Sequence, residues 1–105
     1  MTTPTDTNRD LITVIASMRA QAGKEDELRA ILESMTEATK AEPGNVNYDL
    51  HQGLQDKAVF YFYENWESAG ALGEHMKSPA LQGAIGRVIP LLEGELSVVQ
   101  LGRIA

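Results

Sequence analysis

The chain has no cysteine, only two histidines and a single tryptophan among its 105 residues. Without thiols it can form no disulfide, no thiolate zinc or iron–sulfur site and no cysteine nucleophile. The two histidines, His51 and His75, stand at no metal-ligating spacing to each other or to a further ligand, so no metal site is expected. P-loop, dinucleotide fingerprint and nucleophile elbow are all missing. No apolar run approaches the roughly 18 residues that a spanning helix needs. The opening MTTPTDTNRD carries neither the basic nor the apolar region of a secretory signal, so cytoplasmic residence is the expectation. Positive charge is also scarce: nine Lys and Arg stand against fifteen Asp and Glu, a net charge of −6. Such a surface repels phosphate backbones and anionic lipid, which argues against nucleic acid and membranes as partners.

What remains is ordinary globular material. Hydrophobic residues make up 43% and charged residues 23%, enough for one core and too little charge for a disordered chain. The length suits a single domain. Residues 1–10 read as a disordered polar tail and 11–105 as that domain.

Residues 11–18, LITVIASM, are rich in β-branched side chains and carry no charge on either alternating face, as a strand covered on both sides requires. After Ala22-Gly23, residues 24–40 show helical spacing, with Leu28, Ile31, Leu32, Met35 and Ala38 as one apolar stripe. Glu25, Asp26 and Glu27 suit the positive end of the helix dipole, and Pro43-Gly44 ends the segment. Residues 45–52 alternate: Val46, Tyr48 and Leu50 face one way, and Asn45, Asn47, Asp49 and His51 the other, as on an edge strand. Residues 58–66, AVFYFYENW, are the most aromatic stretch and predict a second central strand. Phe60, Phe62 and Trp66 share one of its faces; Val59, Tyr61, Tyr63 and Asn65 share the other. Ser68 can cap a helix reaching about residue 76, and Ser78-Pro79 opens another with Leu81, Ala84, Ile85 and Val88 buried. Residues 95–102 supply a last strand.

The order β-α-β-β-α-β predicts an α+β, ferredoxin-like sandwich, whose four-stranded antiparallel sheet has the first and third strands in the middle. Those are the two strands with no wet face. Helices can cover only one side of this sheet, and the other side also carries apolar residues. A second copy packed sheet to sheet, a homodimer, is the economical cover.

Few residues can carry chemistry. His75, with Leu72 before it and Met76 after it, borders the apolar interior. A partly buried imidazole there can shuttle protons, or it can simply bond a backbone carbonyl. Trp66 can stack on a flat ligand and donate its N–H, or it can pin helix to sheet. Asn65 projects opposite to Trp66 and joins one pocket only if the strand twists or bulges. Tyr48, Tyr61 and Tyr63 read mostly as packing residues, though a phenol such as Tyr63 at a pocket rim would suit an aromatic ligand, and Arg87 can meet an anionic oxygen or face solvent. His51 reads as an exposed surface histidine.

Several segments in order resemble one family over nearly the whole of 11–101. They are GKEDEL at 23–28, EPGNVNYDLHQ at 42–52, FYFYENWES at 60–68 and ALGEHMKSPAL at 71–81. The chain resembles the antibiotic biosynthesis monooxygenase superfamily, and in particular its small bacterial quinol monooxygenases. The resemblance implies a dimeric α+β barrel and oxygenation of a quinol or polyphenol-like aromatic by O₂, with no metal or flavin cofactor. It implies that His75, at the family's histidine position, is a proton shuttle and that Trp66 positions substrate; Arg87 falls near an arginine that some members use. Many members read SPHF where this chain has Ser78-Pro79-Ala80-Leu81, so a second histidine is missing. The haem-degrading branch has a haem-ligating histidine where this chain has Ile85, and an asparagine near Ala16, so a haem role is not expected. The same scaffold carries other activities. The alternatives are a non-catalytic protein binding a small metabolite, and an isomerase or tautomerase of a small hydroxyketone.

Overall fold

The computed structural model describes residues 10–105, so the tail expected over 1–10 lies outside the described residues apart from Asp10. β-Branched and small side chains make β1 (Ile12–Arg19), and α1 (Glu25–Lys40) follows with its three acids in the first turn and Lys40 in the last. The hairpin β2 (Asn45–Gln52) and β3 (Val59–Trp66) comes next. Two helices then form the second crossover. In α2 (Ala69–Lys77) the Ser68 hydroxyl accepts the Ala71 N–H, and in α3 (Pro79–Val88) the Ser78 hydroxyl accepts the Leu81 N–H, each at 3.1 Å. A 3₁₀ turn (Ile89–Leu91) leads to β4 (Ser97–Gly102).

The sheet runs β2-β3-β1-β4 with every neighbour antiparallel, so β1 and β3 are central as expected. In the register, Val14 lies opposite Glu64, Ala16 opposite Phe62 and Met18 opposite Phe60. These side chains meet Leu28 and Leu32 of α1 and Leu72 of α2 in one core. The reverse face of the sheet carries Tyr61, Tyr63, Val99 and Leu101, each between 43% and 46% exposed. Among the described residues nothing covers it.

Three expectations change. Val46 does not join Tyr48 and Leu50: a bulge between Asn45 and Asn47 breaks the alternation and leaves it 51% exposed. In α1 the buried line passes through Thr39 rather than Ala38, because residues 28, 32, 35 and 39 fall on one line at 3.6 residues per turn. The last strand begins at Ser97, two residues later than the pattern suggests.

One turn matters for the site. Gly44 takes a φ of +81°, where a side chain is strained, and a Cβ there would fall on the Ala71 Cβ of α2. Its carbonyl accepts the Glu67 N–H at 2.8 Å. This close approach fixes the α1–β2 turn against the start of α2, and so fixes Glu42 near His75.

Candidate active site

Between the covered face of the sheet and the three helices lies a partly open cavity of about 50 Å³. Its wall is almost wholly apolar. The exceptions are Tyr48 from β2, Glu64 from β3 and His75 from α2, and among the described residues no lysine or arginine lines it. Met76 and Val98, 37% and 43% exposed, stand at its mouth between the helices and β4.

His75 is 3% exposed and held on three sides. Its Nδ1 lies 2.8 Å from Glu42 Oε1, its ring stacks on Trp66 at 4.6 Å, and the Tyr48 ring meets it edge-on at 5.7 Å. A carboxylate only accepts, so Nδ1 is the donor to Glu42, and in the neutral imidazole Nε2 then carries the lone pair. Glu42 is itself partly open to solvent and borders an outer groove with Glu67 and Glu74. The His75–Glu42 pair therefore stands between the interior and water.

Glu64 is 4% exposed, and its Oε1 accepts the Trp66 Nε1–H at 3.0 Å. Burial lifts its carboxyl from an ordinary 4.5 to about 7; the Trp66 bond opposes that rise and the charge of Glu42 adds to it. Tyr48 lies directly across from Glu64 in the sheet. Burial first, and the Glu64 charge second, hold its phenol well above the ordinary range, so it stays protonated at neutral pH.

The expected site residues separate. His75 lines the cavity. Trp66 does not: it is fully buried, one face is taken by His75 and its N–H by Glu64, so it positions those two groups and has nothing left for a ligand. Asn65 points to the opposite face of the sheet, where it accepts from Thr13 Oγ1 at 2.6 Å and donates to Asn47 at 2.8 Å. No bulge at residue 65 brings it round, because β3 keeps its alternation against β1. Tyr63 shares that reverse face, 44% exposed. Arg87 is exposed on α3 beside a separate groove against α1. His51 is an exposed histidine, as expected, with Nδ1 3.2 Å from its neighbour Asp49's carbonyl.

Glu42 and Glu64 escaped the sequence reading. Glu64 left a signal: it occupies the alternate position between Phe62 and Trp66, an acid in the middle of a buried face. Glu42 left none, since it meets His75 across 33 positions of sequence. Among the described residues no three His, Asp or Glu side chains converge as metal ligands, and no helix is long and apolar enough to cross a membrane.

A four-stranded antiparallel sheet with helices on one face, and an apolar cavity between them, defines the ferredoxin-like class of single-cavity α+β domains. Comparison with known proteins narrows the class. Residues 11–87 match the profile described as Antibiotic biosynthesis monooxygenase, and the chain belongs to that family. It is 32% identical over 90 residues to "Putative monooxygenase Rv0793" of Mycobacterium tuberculosis, covering 86% of this chain and 88% of the relative. It is 27% identical to "Putative monooxygenase YcnE" of Bacillus subtilis, over 86% and 95% of the two chains. The solved structure of Rv0793 superposes with a TM-score of 0.85 at 30% identity, covering 90% of this chain and 96% of that one. PA3566 of Pseudomonas aeruginosa gives 0.84 at 30% identity, covering 93% and 98%.

Proposed function

We propose that the cavity binds a quinol or polyphenol-like aromatic and promotes its oxygenation by O₂, with the bound ring as reductant and neither metal nor flavin as cofactor. The observation that carries this reading is His75, which lines the apolar cavity with its Nδ1 fixed by Glu42 and its Nε2 without a protein partner among the described residues. Deprotonating a quinol hydroxyl raises the electron density of the ring, and the electron-rich ring can then reduce O₂. His75 takes that proton, and Glu42 steadies the imidazolium that results. Apolar walls exclude water from the reactive anion. The balance closes without a further reductant: naphthohydroquinone plus O₂ gives hydroxynaphthoquinone plus water, the quinol losing four electrons, one oxygen entering the ring and the other leaving as water.

A cavity of about 50 Å³ is far below the several hundred that small-molecule sites commonly offer, so binding must widen it. Met35 and Met76 in its wall are unbranched and can move aside at low cost.

The test is O₂ uptake with naphthohydroquinone in chelator-treated buffer. Uptake above the rate without protein is expected, with labelled O₂ placing one labelled atom in the product. Uptake at the background rate, with unhydroxylated quinone and peroxide as products, would overturn the reading.

The same proposal includes a homodimer formed on the uncovered face of the sheet, supported by its exposed Tyr61, Tyr63, Val99 and Leu101. Sedimentation at micromolar concentration should show twice the chain mass of 11.5 kDa, and Tyr63→Glu should shift it toward monomer; a parent chain that sediments as monomer overturns the dimer. We assign the activity to the cytoplasm, a reducing compartment that keeps quinols reduced.

A further inference from the structure

We propose that Glu64 is a ligand-contacting residue of the cavity, whose free carboxyl oxygen binds the hydroxyl of a neutral hydroxy-aromatic and whose charge turns carboxylated rings away. The inference rests on the reading of the cavity as the substrate site and adds the residue that selects the substrate's charge.

Glu64 reaches the cavity because β3 alternates. Phe60, Phe62, Glu64 and Trp66 point to the helix side, and Glu64 is the one acid among them. Its Oε1 is occupied by the Trp66 N–H at 3.0 Å, while Oε2 has no protein donor among the described residues. Yet no buried side-chain oxygen lacks a partner, so Oε2 borders open space, and the space beside it is the cavity. Trp66 cannot release the carboxyl easily, being fully buried under His75. The structure thus holds one oxygen of an acid and presents the other to whatever enters.

The surroundings decide what that can be. The titratable groups facing Glu64 are Tyr48 from β2, Glu42 from the α1–β2 turn and His75 from α2. β1, β4, α1 and α3 offer the cavity apolar side chains such as Val14, Val98, Leu32 and Ile85. Among the described residues no lysine or arginine is there to meet a ligand carboxylate, and burying a second anion against Glu64 without a cation is costly. A neutral ring with a hydroxyl, by contrast, gives Oε2 the donor it lacks. Because burial lifts the Glu64 carboxyl to about 7, both its forms are populated near neutral pH. The ionised form accepts from a ring hydroxyl and the neutral form donates to a ring carbonyl, which suits a ligand whose hydroxyl becomes a carbonyl.

Binding without oxygen tests this apart from any reaction. Anaerobic calorimetric titration with 1-naphthol and 1-naphthoate compares two bicyclic rings that differ in charge. At about pH 8 the parent chain should prefer naphthol by about tenfold or more. At about pH 5.5, with Glu64 protonated, the preference should shrink to about threefold or less. Glu64→Gln keeps an oxygen for Trp66 and should show the smaller preference at both pH values, its fold checked by near-ultraviolet circular dichroism. Equal binding of both rings by the parent chain at the higher pH, an unchanged preference in Glu64→Gln, or no binding of either ring would each overturn the inference. Selection of naphthol through Glu64 without O₂ uptake would leave it standing and remove the oxygenation. O₂ uptake with no effect of Glu64→Gln on selection would do the reverse.

Discussion

Between about pH 5 and about pH 8 the parent chain should lose about 2.5 kcal/mol of folding stability that Glu64→Gln does not lose. The cause is the buried carboxyl. In the unfolded chain Glu64 ionises at its ordinary 4.5, whereas in the folded chain burial holds it at about 7. Between those values the folded state keeps a proton that the unfolded state has released. Raising the pH therefore favours unfolding, and the loss is complete once the folded carboxyl has also ionised. The sign is opposite to that of a surface carboxylate in an ion pair, whose stabilising effect grows as pH rises. Other carboxylates contribute equally to parent and variant, so the difference between the two curves isolates Glu64. The glutamine side chain of the variant fills the same volume, and its carbonyl can still accept the Trp66 N–H. Urea midpoints measured at several pH values read the effect directly, given equal m-values. Two parallel curves would mean that the Glu64 carboxyl is not raised, and that water reaches it more freely than its 4% exposure implies.

An acid that weakens the fold at physiological pH calls for a reason other than stability. Phe60 and Phe62 on the same face show that apolar side chains pack well there. Glu64 also draws Trp66 into its hydrogen bond, and Trp66 in turn supports the His75 ring. Glu42, His75, Trp66 and Glu64 thus form one chain of contacts, of which His75 and Glu64 line the cavity. Local destabilisation of this kind is characteristic of functional sites.

Most of the fold was legible because its signals are local and periodic. Uncharged alternation in β1 and the aromatic run of β3 marked them as central, and Ser68, Ser78 and Pro79 marked helix starts that the hydroxyl caps of α2 and α3 realise. The site was legible only in part. His75 could be placed at the border of the interior from Leu72 and Met76, but its partner Glu42 arrives by a tertiary turn built on Gly44. Trp66 looked like a ligand platform because its ring is large and flat; only the folded chain shows both its face and its N–H already engaged. Asn65 and Tyr63 were credited to the pocket against the alternation of their own strand, and the alternation won. Arg87 is next to buried Val88, yet one position along a helix is a turn of about 100°, enough to carry it into solvent. The bulge that exposes Val46 has no residue signature in this chain.

His75→Gln should lower kcat for naphthohydroquinone oxygenation by about 10² to 10⁴, with KM changing by much less. The substitution is chosen for its shape. His75→Ala would leave a void between Trp66 and Tyr48 and confound chemistry with packing. Glutamine spans a similar length and can still bond Glu42 with its amide, but it cannot accept and hold a proton. If the imidazole is the base, the chemical step fails while the ring of the substrate still finds its apolar walls. Glu42→Gln should have a smaller effect, of about tenfold or more, because a neutral amide neither enforces the Nδ1–H tautomer nor stabilises the imidazolium. Combining the two should cost scarcely more than His75→Gln alone, since Glu42 acts on the proton only through the ring it holds. Unchanged turnover in His75→Gln would remove the histidine from the chemistry. Additive losses would show that Glu42 has a separate task, such as passing protons to the outer groove it shares with Glu67 and Glu74. The double variant thus distinguishes a positioning carboxylate from a conducting one, and the 2.8 Å contact between Glu42 and Nδ1 favours the positioning role.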